Sequence, residues 1–168
     1  MLDDQALMQA LNSTPVTDGR RRDLWREDHG VDGWAREHGG LGGDEERRWL
    51  LTARDALQAV ESGTPAEPRL RRVLAGVRRV PRPCASGIEW HLEVPPERRL
   101  AVELVLAWAD VKERMPGRLR PCENPECRLF LLDRSRANTA RWCSMRTCGN
   151  RIKARRHQAR TREAPRSG

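Results

Sequence analysis

Apolar positions along the chain follow two different periods. In "LDDQALMQALN", Leu2, Ala6, Leu7, Ala10 and Leu11 share one helical stripe that ends near Asn12 and the turn-like "STP". "VDGWAREHGG" predicts a short helix stopped by Gly39 and Gly40. The strongest helical pattern covers residues 44–62, where Trp49, Leu50, Ala53, Leu57 and Val60 make one face. Asp44 is expected to cap it, with acids filling its first turn. The loop "GTPAEP" precedes a further short helix in "RLRRVLAG". The period then changes to two: Val77, Val80, Ile88, Trp90, Leu92 and Val94 alternate around a Pro/Ser/Gly turn and predict a β-hairpin. Pro95 and Pro96 close it and open a helix over about 97–114. The broad apolar arc of that helix, from Leu100 to Val111, makes it the expected core of the fold. "MPGRLRP" breaks the pattern and sets a boundary between residues 1–117 and 118–168. The class expected is α+β: a mostly helical first domain with a hairpin, followed by a small treble-clef-like module.

Composition adds a direction to this outline. The 168 residues hold one ordinary domain, or one of about 110 residues with an appended module. With 38% hydrophobic and 33% charged residues, the chain is polar but globular. The net charge of +8 is placed unevenly. Residues 118–168 carry 14 Arg/Lys against 4 Asp/Glu, while residues 1–117 carry 18 against 20. A polyanion partner for the last third follows, nucleic acid before membrane. No run of about 18 apolar residues and no basic-then-apolar leader occurs, so a soluble, cytoplasmic protein without a membrane partner is expected.

The cysteines give that last third its chemistry. Cys122, Cys127, Cys143 and Cys148 are spaced C-x4-C, fifteen residues, C-x4-C. Two short loops of this kind can close four thiolates around one structural zinc ion, and four thiolates leave no open position for catalysis. "RLFLL" is expected as a strand, "DRSRANTA" as a turn-bearing link and "RWCSM" as a returning strand. Cys84 stands apart in "PRPCAS", either an inert thiol or a reactive one.

Directly after Cys148 the chain becomes basic and helical in composition. Four thiolates on zinc leave a formal charge of −2, which Arg128, Arg141 and Arg146 can offset. The basic segment runs on to Arg162, beyond that need. At about 100° per residue, Ile152 and Ala159 share the packing edge. Arg151, Arg155 and Arg162 form one flank; Lys153, Arg156 and Arg160 form the other. Asn150, Ala154, Gln158 and Thr161 lie between the flanks, with His157 at the margin. A helix in a major groove needs small or polar residues toward base edges and cations toward phosphates. The expected DNA contacts are Asn150, Arg151, Lys153, Arg155, Arg156, Gln158 and Arg160.

"CENPECRLFLLDRSRANTARWCSMRTCGNRIKARRHQAR" resembles the CGNR zinc finger, whose name is spelled at Cys148–Arg151. Upstream, "ALNSTP", "VDGWAREHGGL" and "RWLLTARDALQAV" resemble the ABATE domain over about residues 2–115. The resemblance implies a bacterial DNA-binding protein of a proposed stress-induced transcription-regulator family, with the first domain as sensor. Cys122, Cys127, Cys143 and Cys148 match the family's metal positions. Double-stranded DNA is favoured over RNA chiefly on this resemblance; base-stacking aromatics are scarce, with only Phe130 and Trp142 in the module.

The first domain offers Asn12, Arg54, Trp90 and His91 as candidates for a small-molecule pocket. Each also has a plainer reading: helix C-cap, surface ion pair, core aromatic and strand histidine. His29, His38, His91 and His157 lack nucleophile or carboxylate partners at recognisable spacing, and no HExxH or phosphate loop occurs, so no enzyme is expected. The leading reading is a transcription regulator with a DNA-gripping finger, a small-molecule effector for the first domain, and a homodimer left open. The alternatives are a small metabolite- or nucleotide-acting enzyme with the finger as targeting module, and an adaptor whose finger is structural only.

Overall fold

The computed structural model describes residues 1–27 and 30–163, with the side chains of Arg156, His157 and residues 159–163 outside the description; His29 also lies outside it. Six α-helices and three separate two-stranded antiparallel sheets make up the described chain. Helices α1 (Asp4–Leu11), α3 (Asp44–Glu61) and α5 (Pro96–Arg114) surround the core, with α2 (Gly30–Glu37) and α4 (Glu67–Leu74) against α3. Leu7, Leu11, Leu50, Leu57, Leu100, Leu104 and Val111 are completely buried between them. The 3.6-residue stripes therefore meet as expected, and burial of each such side chain contributes about 1.5–3 kcal/mol.

Helix ends show how local sequence sets boundaries. Asp3 caps α1, its carboxylate accepting the Ala6 N–H at 2.8 Å. The cap expected from Asp44 does not form: Gly43 holds the cap position of α3, and Asp44 is already helical. Asp44, Glu45 and Glu46 instead place negative charge at the positive end of the helix dipole. Trp49 sits at the edge of the buried face, half-exposed, with the guanidinium groups of Arg72 and Arg98 at 5.5 and 5.3 Å from its ring.

Strands β1 (Val16–Thr17) and β2 (Arg20–Arg21) join through Asp18-Gly19, both with positive φ, the conformation a two-residue hairpin turn demands. Strands β3 (Arg78–Cys84) and β4 (Gly87–Glu93) form the hairpin expected from the alternation. Its apolar face is not a core face, however. Val77, Leu92 and Val94 pack at its base, whereas Ile88 and Trp90 are 64% and 55% exposed. α3 and α4 already cover α5, so the hairpin tip reaches past the helices into solvent.

The cysteine segment has a different hairpin from the one expected. β5 (Leu119–Pro121), ahead of the first cysteine, pairs with β6 (Phe130–Leu132), and "RWCSM" forms no returning strand. Side chains satisfy the intervening backbone instead. Asp133 accepts the N–H groups of Ser135 and Ala140, each at 2.8 Å. Arg120 donates to the carbonyls of Gly117 and Ala140 at 2.8 and 2.6 Å and to Asp133 at 2.9 Å. With its polar groups engaged this way, the loop has no need of a ladder.

Leu119 and Phe130 belong to the same apolar cluster as the helices, so the core continues across the sequence boundary. Backbone bonds Cys122 N–H to Leu129 and Asp133 N–H to Arg118 place the Phe130 N–H and C=O on the outer edge of the sheet. There Asn12, the C-cap of α1, takes both: its Oδ1 accepts the Phe130 N–H at 2.7 Å and its Nδ2 donates to the Phe130 carbonyl at 3.2 Å.

Candidate metal centre and basic helix

The β5–β6 hairpin carries Cys122 and Cys127 on the loop between its strands, and a single π-helical turn, Met145–Gly149, carries Cys148. Cys143 lies just before that turn. Ser144 caps it: the Thr147 N–H reaches the Ser144 hydroxyl at 3.4 Å, and the Cys148 and Gly149 N–H groups reach its carbonyl at 3.0 Å. Gly149 lets the turn pack closely, since a Cβ there would lie 2.6 Å from the Met145 sulfur and 3.1 Å from the Trp142 ring and would push the flexible Met145 side chain aside. The turn closes tightly, bringing Cys148 beside Cys143 and passing straight into α6 (Asn150–Glu163).

All four sulfurs lie within 4.8 Å of one another. Cys143 Sγ is 3.7 Å from both Cys127 Sγ and Cys148 Sγ. Zinc–sulfur bonds of about 2.3 Å in a tetrahedron set sulfur–sulfur separations of about 3.8 Å, which these two pairs match. Hydrogen bonds to the sulfurs add to the fit. The Leu129 and Cys143 N–H groups donate to Cys127 and Cys122 at 3.4 Å, and the Asn124 amide donates to Cys148 at 3.3 Å. Donors of this kind stabilise thiolates and orient them.

The electrostatics call for a cation. Burial, joined by Cys122 close by, pushes the Cys127 thiol up to about 11. Burial and the charges of Cys127 and Cys122 push Cys143 up as well. Burial also acts to raise Cys148, but hydrogen bonds from Asn124 and the neighbouring sulfurs outweigh it and leave that thiol below its ordinary value. Four thiolates packed this closely repel one another. A dication removes the repulsion and releases protons as it binds. The donor set fits one structural zinc ion.

Asn124 is a site residue that spacing did not reveal. It is 1% exposed; its Oδ1 accepts the Glu126 N–H at 3.2 Å while its carbonyl accepts the Cys127 N–H at 2.8 Å. The "ENPEC" run held the signal, since an Asn before Pro favours such a side-chain-bonded turn.

A comparison with protein-family models resolves this part of the chain. Residues 118–161 match the CGNR zinc finger. A comparison with curated proteins found no match. The CGNR finger thus comprises the β5–β6 hairpin, all four cysteines, the π-helical turn and most of α6.

Beyond the finger's metal site, α6 presents Asn150, Arg151, Lys153, Arg155 and Gln158 exposed, with Ile152 half-buried. The side chains of Arg156 and Arg160 lie outside the described residues. Arg155 is engaged within the finger: its guanidinium meets the Glu126 carboxylate at 2.8 and 2.9 Å, tying α6 to the first cysteine loop.

The four pocket candidates of the first domain are not brought together. Asn12 holds Phe130. Arg54 is wholly buried, donating to Ser13 at 2.7 Å, to both oxygens of Asp23 at 2.9 and 2.8 Å, and to Asp55 at 2.7 Å. It is therefore an internal clasp and not a surface pair. Burial acts to raise the Asp23 carboxyl, but Arg54 and two backbone N–H groups outweigh it and hold it below the usual range. Trp90 and His91 alone share a cavity, of about 670 Å³, between the β3–β4 hairpin and α5. Cys84 is half-buried, with its sulfur 3.3 Å from the Ser86 hydroxyl.

Proposed function

We propose that this protein is a DNA-binding transcription regulator whose zinc module, of treble-clef-like order, sets a basic helix into the major groove of duplex DNA. The observation that carries the reading is α6 itself. It emerges from the metal site with Arg151, Lys153 and Gln158 exposed on a helix that bears no acid before Glu163. Zinc would fix the root of that helix through Cys143 and Cys148, and Glu126 would fix its first turns through Arg155. Cations on the flanks would neutralise phosphates, and Asn150 and Gln158 would face base edges. The first domain, read as ABATE-like, would sense a small molecule or stress signal. The cavity beside Trp90 and His91 would be its site, with apolar walls from Leu92 and Leu106 and charged groups, Arg99 and Glu103 among them, to orient a ligand.

The test is the salt dependence of duplex binding by the zinc-loaded protein. Replacing Arg151 and Lys153 with Ala removes two phosphate contacts and should make the log–log slope shallower by about 1.8, at about 0.9 per phosphate. Gln158→Ala should relax sequence preference by about 1–3 kcal/mol without moving the slope. Binding that ignores salt and both substitutions refutes the proposal.

A further inference from the structure

Two neighbouring clefts run along the seam between the first domain and the finger, of about 490 and 580 Å³. They share two walls, Arg21 from β2 and Arg128 from the first cysteine loop. Arg69 of α4 lines the first cleft, and Arg151 of α6 lines the second. Together they form one groove that begins on the first domain and ends on the basic helix.

The charges within this groove are not balanced internally. Asp23 and Asp55 are both held by Arg54 and Arg26. Glu126 is held by Arg155. Among the described residues Arg21, Arg69 and Arg128 have no ion pair; Arg151 makes none either, though its charge helps Arg155 hold the Glu126 carboxyl down, and Asp18 at the turn of β1–β2 is the one carboxylate lining the groove that is left over. The four arginines are exposed. A small-molecule site encloses most of its ligand and converges its polar groups. Exposed cations strung along an open groove suit a polymer with charge at regular intervals.

We infer that this groove is a second phosphate-contact surface for the same DNA duplex, shared between the first domain and the finger. The inference rests on the proposed function and extends it: Arg21 and Arg69 hold the backbone beyond the reach of α6. Arg128 alone would be weak support, since it follows Cys127 directly and can serve to offset the thiolate charge. Arg21 and Arg69 stand on β2 and α4, elements that carry no cysteine of the site, and offsetting thiolate charge is not what places them there. Arg21 is positioned by the tight Asp18-Gly19 turn and by the Arg22 N–H bond to the Pro15 carbonyl at 2.9 Å. DNA in the groove would touch both parts of the chain at once, so any movement of the first domain against the finger would alter affinity.

The experiment compares wild type, Arg21→Ala/Arg69→Ala and Arg151→Ala/Lys153→Ala as full-length, zinc-loaded proteins binding one duplex across a salt series. The Arg21/Arg69 pair should weaken binding at least about tenfold near 0.1 M salt and make the slope shallower by about 1.8, while sequence preference stays fixed. The Arg21→Lys/Arg69→Lys protein should keep the slope, which separates charge from misfolding. Unchanged affinity and slope in Arg21→Ala/Arg69→Ala, with Arg151→Ala/Lys153→Ala still impaired, overturns the groove and leaves the helix reading standing. If neither alanine pair matters, both readings fall. Saturable binding of inorganic phosphate that depends on Arg21 and Arg69, beside an unchanged DNA slope, would make the groove a small-anion site and also overturn the inference.

Discussion

Asn12→Ala should uncouple the zinc module from the helical core. The Asn12 amide is the sole hydrogen-bond partner found for the outward-facing N–H and C=O of Phe130 among the described residues, at 2.7 and 3.2 Å. Each bond contributes about 0.5–1.5 kcal/mol, and leaving a buried backbone group unsatisfied costs about 1–3 kcal/mol. Phe130 is 4% exposed, so water reaches these groups poorly once the amide is gone. The two losses together should destabilise the folded chain by about 2–3 kcal/mol. For a chain of this length that corresponds to a melting temperature lower by about 4–12 °C. Urea unfolding followed by tryptophan fluorescence measures the free energy, and amide exchange at Phe130 reports the local opening. Stability within about 0.5 kcal/mol of wild type, with Phe130 exchange unchanged, would refute the clamp.

Other substitutions probe other parts of the account. Arg54→Met leaves Asp23 and Ser13 without their buried donor and should cost about 3–5 kcal/mol in the same urea assay; a loss below about 1 kcal/mol would contradict the clasp. Asn124→Ala removes the donor to Cys148 and should lower zinc affinity about 10–100-fold in competition with a chromophoric chelator, whereas affinity within twofold of wild type would count against it. The hydroxyl and N–H of Ser135 lead the bonds that hold the Asp133 carboxyl down at about 2, against an opposing effect of burial, with Ala140 and Arg120 assisting. Because its folded value is depressed, its stabilisation is present above about pH 4 and lost as pH falls toward about 2. The stability difference between wild type and Asp133→Asn should shrink over that window, with zinc release common to both; a difference independent of pH would oppose this.

How much of this was legible in the sequence depended on whether the physics was local. The faces of α1, α3 and α5 follow from spacing, because burial along a helix repeats every 3.6 residues. The four ligands follow from paired cysteines, because a short loop forces two sulfurs to one side. Asn12 and Arg54 have no such period: one bonds a residue 118 positions away, the other residues 31 and 41 positions away. A polar side chain that closes a distant gap looks like a cap or a surface ion until the elements are packed. The β3–β4 hairpin shows the converse. Its alternation is real, yet nothing in a strand pattern tells whether a helix will be there to cover Ile88 and Trp90. The finger's hairpin was misplaced because Leu119–Pro121 is too short to carry a pattern, while the Asp133 and Arg120 side chains took over the backbone that a returning strand would have used.

The central claim is that zinc orders the four-cysteine site so that α6 can grip duplex DNA. Its most direct test is the affinity of one protein sample for one duplex before zinc removal, after removal by chelation under reducing conditions, and after zinc is restored. The account predicts one zinc per chain by elemental analysis, binding at least about tenfold weaker without it, and recovery when a single equivalent returns. Metal-free protein that binds the duplex as tightly, with the same dependence on salt, would contradict it.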